Sequence, residues 1–200
     1  MSRKIFLMRH ADPENPTDLM YGNLPGFPLS KIGIKQAKEA GEFMSQYNLD
    51  VIITSGLERA HQTGEMVAKS NLGHPDLIKD PRLRDLGIDA WQGIMTKKEF
   101  MADRDGHWQR QLSDEEGIEN PKDTQVRMIQ SFEEYLNKYP DKNILFVSHA
   151  DSIVFLFEYL LDMPLYPETV FDFGYPKKAN IFEIELNSKN IKKIFEPTVI

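Results

Sequence analysis

Two short apolar runs, far apart in the chain, each lead straight to a histidine. The first is Ile5-Phe6-Leu7-Met8, followed by Arg9-His10-Ala11-Asp12. The second is Ile144-Leu145-Phe146-Val147, followed by Ser148-His149-Ala150-Asp151. Four or five apolar residues with β-branched and aromatic members suit a buried strand. A histidine at the end of such a strand stands outside the carboxyl edge of the sheet, where open α/β sheets place their ligands. His10 and His149 can therefore share one site, with Arg9 beside the first. That combination points to phosphate chemistry with histidine as the acting group.

The intervening pattern supplies the rest of an α/β fold. A loop rich in Pro and Asn, 12–28, follows the first histidine and is expected to line the site. Ser30 caps a helix reaching about Tyr47, with Ile32, Ala37, Ala40, Phe43, Met44 and Tyr47 on one stripe. Residues 50–54 read as a second buried strand. Ser55 and Glu58 have capping-box spacing for a helix to about Ser70, with Arg59 in its first turn. A short strand is expected near 77–79. Residues 96–113 read as helical and highly charged, and 114–120 as a polar loop. The stretch 89–120 is expected to form a small insertion over the sheet edge, a lid. Asn120-Pro121 opens another helix, with Val126, Ile129, Phe132, Leu136 and Tyr139 on its stripe. A helix over 151–162, apolar nearly all round, follows the second histidine strand. Residues 181–186 and 191–195 read as a closing hairpin. Alternating strands and helices imply a three-layer α/β/α sandwich with a mostly parallel sheet, one domain over 1–200.

Composition narrows the function. The net charge of −7 argues against nucleic acid, which needs a clustered basic face. The absence of cysteine excludes disulfides, thiolate metal sites and cysteine nucleophiles. The first strand begins so early that a signal peptide is not expected, and no apolar run reaches the ~18 residues of a membrane span. A cytoplasmic protein acting on a small phosphorylated molecule is the expectation. Nothing in the chain specifies an oligomeric state.

A neutral imidazole is a competent nucleophile toward phosphorus without a metal. Phosphoryl transfer needs fixed cations around the equatorial oxygens, and guanidinium forks match that geometry. Arg9 and Arg59 are candidates, with His149 a further donor. A carboxylic acid must protonate the leaving alkoxide; Asp85, Asp89, Asp12 and Asp151 all qualify by residue type. Trp91 and Trp108 read as packing.

Several strings together resemble the histidine phosphatase superfamily, also called the phosphoglycerate mutase-like family. Arg9-His10-Ala11 resembles its Arg-His-Gly triplet. Residues 29–37, LSKIGIKQA, resemble its Leu-[Ser/Thr]-x-x-Gly-x-x-Gln-Ala run. Residues 55–63, SGLERAHQT, are similar to Ser-x-Leu-x-Arg-Ala-x-Gln-Thr, the most specific of the matches. Leu83-Arg84-Asp85 and Trp91-Gln92-Gly93 resemble Leu-x-Glu and Trp-Glu-Gly, and Val147-Ser148-His149 resembles the strand of the second histidine. The resemblance implies His10 as the nucleophile that becomes phosphohistidine. It implies Arg9, Arg59 and His149 as phosphate ligands, Asp85 as proton donor and then base, and neither metal nor cofactor. The sequence departs from the pattern at Ala11, at Asp85 in place of Glu, and at Pro16 and Asn23, which leaves Asn15 and Asn23 as secondary candidates.

The reading is thus a metal-independent phosphatase acting on a small phosphomonoester or a phosphoprotein. The rival within the family is a cofactor-dependent phosphoglycerate mutase, whose insertion is longer and more basic than 89–120. Two readings from other classes remain: a non-catalytic binder of phosphorylated ligands, and a metallohydrolase using the His-x-Asp pairs at 10–12 and 149–151.

Overall fold

The apolar runs around the two histidines lie side by side at the centre of one sheet. In this computed structural model, which describes residues 3–113, 117–165 and 171–199 apart from the side chain of Arg104, six strands form that sheet. They are β1 (Ile5–Arg9), β2 (Val51–Thr54), β3 (Asp76–Lys79), β4 (Ile144–Ser148), β5 (Ile181–Glu185) and β6 (Asn190–Phe195), in the order β3-β2-β4-β1-β5-β6. The first four are parallel, whereas β5 and β6 join antiparallel at one side. The expected three-layer sandwich with a mostly parallel sheet is the fold observed.

Side-chain alternation divides each strand between two cores. Phe6, Met8, Leu145, Val147 and Ile52 pack with Ala37, Ala40 and Met44 of helix α1 (Lys31–Met44), and with Ala60 and Val67 of α2 (Glu58–Ser70). Ile5, Leu7, Ile144, Phe146 and Ile53 pack on the opposite face. Their partners there are Met128 and Phe132 of helix 121–138, and Ile153 and Phe157 of helix 150–160. Among the described residues between β3 and β4 a 3-10 turn, Pro81–Leu83, precedes three α-helices, α3 (Lys97–Ala102), α4 (Arg104–Leu112) and α5 (Pro121–Lys138). The last helix is α6 (Ala150–Leu160), buried almost all round as expected. Residues 114–116 of the expected polar loop lie outside the described residues. Among the described residues no helix is long and apolar enough to cross a membrane.

Three local expectations are corrected. The first helix stops at Met44 and continues as a 3-10 turn over 45–47; Ile32 is 41% exposed, because the buried arc runs through Gly33, Gln36, Ala37 and Ala40. Val126 is 44% exposed on α5, whose buried face instead includes Thr124, Arg127 and Ser131. The Ser55–Glu58 capping box does not form: α2 begins at Glu58 with Leu57 as its cap, because the Ser55 hydroxyl is engaged by His149.

Candidate functional site

The register of β1 against β4 aligns Arg9 with Ser148, so the residues that follow, His10 and His149, leave the sheet as neighbours. The His10 amide donates to the Ser148 carbonyl at 2.9 Å, and the two imidazole centroids are 4.9 Å apart. Both rings are buried. His10 Nδ1 lies 2.7 Å from the Ala11 carbonyl, an acceptor that fixes the proton on Nδ1 and leaves the lone pair on Nε2. Arg59 Nε donates to that Nε2 at 3.3 Å. Burial holds His10 well below the usual histidine range, helped by Lys178, Arg59, His149 and Arg9. The imidazole is therefore neutral at neutral pH.

Arg59 stands between the two rings. Its Nη2 donates to the Gly22 carbonyl at 2.7 Å and to His149 Nδ1 at 3.2 Å, and its guanidinium lies 4.6 Å from the Tyr21 ring centre. On the far side His149 Nε2 pairs with Ser55 Oγ at 2.8 Å. Burial, then Arg59, also holds His149 well below the usual range. Arg9 Nη1 donates to the Pro176 carbonyl at 2.8 Å, while its buried Nε has no partner.

Asp85 completes the group. Its Oδ2 lies 3.8 Å from Arg59 Nη2 and 3.7 Å from His149 Nδ1. Burial, reinforced by Asp151 and opposed by Arg59 and Arg9, pushes its carboxyl up to about 6. The other acids are placed differently. Asp12 accepts from the Ser30 hydroxyl at 2.8 Å, Asp89 is exposed and accepts from Gln92, and Asp151 accepts from the Tyr175 hydroxyl. Asn23 donates to the Asp85 carbonyl at 3.2 Å. Asn15 does not join the group: both polar atoms of its side chain bond the Leu19 backbone within the loop. Among the described residues no set of three His, Cys, Asp or Glu side chains could hold a metal ion.

Sequence reasoning missed four contributors. Tyr21 covers Arg59 with its ring and is joined to Lys178 by a 2.9 Å bond from Lys178 Nζ to the Tyr21 hydroxyl. Ser55, whose spacing suits a helix cap, engages His149 instead. Arg127 donates to the carbonyls of Arg82, Arg84 and Asp85 at 2.6, 2.8 and 2.9 Å, and pairs with Glu119, which accepts from the Gly87 amide at 2.8 Å. Proline and glycine mark 80–87 as a turn in the sequence, but no periodicity marks what grips it.

The remaining motif residues act on the loop rather than the hollow. Thr63 accepts from the Ala11 amide, Gln36 from that of Asp12, and Gln62 from that of Leu29. A Cβ on Gly33 would lie 1.9 Å from the Asp12 carbonyl oxygen, so only glycine permits this contact. The loop is also zipped to the insertion: Met20 donates to Met95, Gly93 to Met20 and Lys97 to Asp18.

Comparison with known proteins agrees with this architecture. The Probable phosphoglycerate mutase GpmB of Proteus mirabilis (strain HI4320) is 27% identical over 173 residues, covering 82% of this chain and 78% of that protein. An uncharacterized protein, Rv0525, of Mycobacterium tuberculosis (strain ATCC 25618 / H37Rv) is 35% identical over 80 residues, 38% of this chain; the match spans 40% of that relative's length. The native structure of mycobacterial glucosyl-3-phosphoglycerate phosphatase Rv2419c superposes with a TM-score of 0.77 at 21% identity, over 98% of this chain and 99% of that one. The family model of the histidine phosphatase superfamily (branch 1) matches residues 5–196, and the chain belongs to that family.

Proposed function

We propose that the chain is a metal-independent phosphomonoesterase that works through a phosphohistidine on His10. The observation that carries this reading is the convergence of a neutral, tautomer-fixed imidazole, a buried guanidinium, a second imidazole and a carboxyl raised toward neutrality. His10 Nε2 attacks phosphorus as the ester P–O bond breaks. Arg9 and Arg59 hold the non-bridging oxygens; with Arg59 drawn to the phosphoryl group, His149 joins them as its Nδ1–H tautomer while the Ser55 hydroxyl donates to Nε2, and the Asp85 carboxyl gives its proton to the departing alkoxide. The Asp85 carboxylate then takes a proton from water, whose oxygen attacks the phosphohistidine; His10 is restored and inorganic phosphate leaves.

Water rather than a second phosphoester is the proposed acceptor. The insertion 89–120 holds four Lys or Arg against eight Asp or Glu, a poor receiver for an anionic acceptor. The lack of cysteine is compatible with work in a reducing cytoplasm. The test is a metal-free assay on p-nitrophenyl phosphate and a panel of alkyl phosphates, with alkaline denaturing quench to trap an acid-labile, base-stable phosphoenzyme. Phosphate release without an added acceptor is expected. Transfer seen only when 3-phosphoglycerate is supplied would establish the mutase instead.

A further inference from the structure

Two guanidinium groups match the two negative charges of a phosphoryl group, yet a third basic side chain, Lys178, stands beside them against the ring that covers Arg59. Lys178 precedes β5 in the chain and is half-buried. Its ammonium donates to the Tyr21 hydroxyl and lies 5.7 Å from the centre of the ring that also covers Arg59. Among the described residues no carboxylate comes within 4.0 Å of it. Asp12 and Asp85 are the acids nearest in effect, but Asp12 is held by Ser30, and Asp85 turns its Oδ2 to Arg59 and His149. Burial and the two arginines push Lys178 well below the usual lysine range. A partly buried cation beside two others is costly unless an anion joins them. The phosphoryl oxygens already have two forks and His149. Lysine is a point charge on a flexible stem, suited to an anion of variable position.

We propose that Lys178, oriented by Tyr21, binds a second anionic group of the substrate. The preferred esters are then phosphomonoesters carrying a carboxylate or another phosphate a few bonds from the ester oxygen. This rests on the reading of the histidine pair as a phosphoryl site, and it deepens that reading by naming the substrate class.

Non-hydrolysable probes separate the two ideas. Calorimetry at pH 7 would compare methylphosphonate with phosphonoacetate and methylenebisphosphonate, which add a carboxylate or a second phosphonate. At least tenfold tighter binding of one or both doubly anionic probes is expected, and which of them gains identifies the second anion. Lys178→Met should erase that margin, and Lys178→Arg, which keeps the charge, should preserve part of it. Equal affinity for all three probes in the unaltered protein, or a margin that survives in Lys178→Met, overturns the proposal. Unaltered, folded protein that shows the margin but never hydrolyses p-nitrophenyl phosphate overturns the phosphatase reading alone. Failure to bind any phosphonate overturns both.

Discussion

His10 owes its proposed reactivity to how its ring is held. The Ala11 carbonyl accepts from Nδ1–H, and burial, helped by the surrounding cations, keeps the ring from gaining a second proton. His10→Ala should therefore leave the fold intact and lower kcat/KM on any phosphomonoester at least about 10³-fold; circular dichroism and steady-state kinetics check both halves. Asp85 sets the opposite limb. Its carboxyl is protonated below about 6, whereas His10 stays neutral to a pH well under the ordinary histidine value. Turnover of alkyl phosphates should fall as pH rises through about 6, and Asp85→Asn should cost them about 10²–10⁴-fold. The loss on p-nitrophenyl phosphate, whose leaving group needs little protonation, should be much smaller. Equal losses on both would make Asp85 structural. The same shift has a consequence for stability. An acid whose folded-state value lies above its unfolded one favours folding while protonated, and that advantage disappears as pH rises through about 6. Asp85→Asn should thus raise Tm at pH 8 and change it little at pH 4.

At the scale of elements, Asp85 is positioned by backbone contacts rather than by its own side chain. Arg127, on the buried face of α5, gathers three carbonyls of the 82–85 turn, and Glu119 holds Gly87 from the other side. Removing the guanidinium leaves the mostly buried Glu119 with Arg84 and the Gly87 amide as partners, so the loss should fall short of the about 3–5 kcal/mol of a buried ion pair left wholly unpaired. Arg127→Met should lower stability by less than that amount, and Arg127→Met with Glu119→Gln should recover much of the loss. Neither variant should restore alkyl phosphate turnover, while p-nitrophenyl phosphate should suffer less; a uniform loss would reduce Arg127 to scaffolding. This clamp also explains what was hidden in the sequence. In the sequence the apolar stripe of this helix runs through Val126, yet the buried face takes Arg127, whose donors are needed inside. Likewise Ser55 has the spacing of a cap, but a hydroxyl makes a stronger claim on a buried imidazole than on a helix end that Leu57 can terminate. The strands were legible because alternation and apolar runs are local properties. Tyr21, Lys178 and Arg127 were not, because they join the site by contacts made only after the sheet has formed.

Across the whole molecule, the site is assembled from the ends of three parallel strands and then roofed by loop 12–28. That loop brings Tyr21 and Gly22 over Arg59, and it is fastened on two fronts: to α1 and α2 through Gln36, Gln62 and Thr63, and to the insertion through Met20, Gly93 and Lys97. Gly33 tests how far catalysis depends on that fastening. Within a helix, Gly→Ala ordinarily stabilises by about 1 kcal/mol. Here the added methyl would meet a backbone oxygen at 1.9 Å, a contact that no rotamer change relieves, so the loop must lift from α1. Gly33→Ala should therefore lower Tm and weaken phosphate binding together, because the carbonyl of Gly22 and the ring of Tyr21 move with the loop. The control is Gly26→Ala, in the same loop but with open space around the added atom and φ of +82°. Its backbone strain should cost some stability while leaving phosphate affinity close to that of the unaltered protein. If Gly33→Ala binds inorganic phosphate as tightly as Gly26→Ala does, the loop is a cover that the phosphate site does not need.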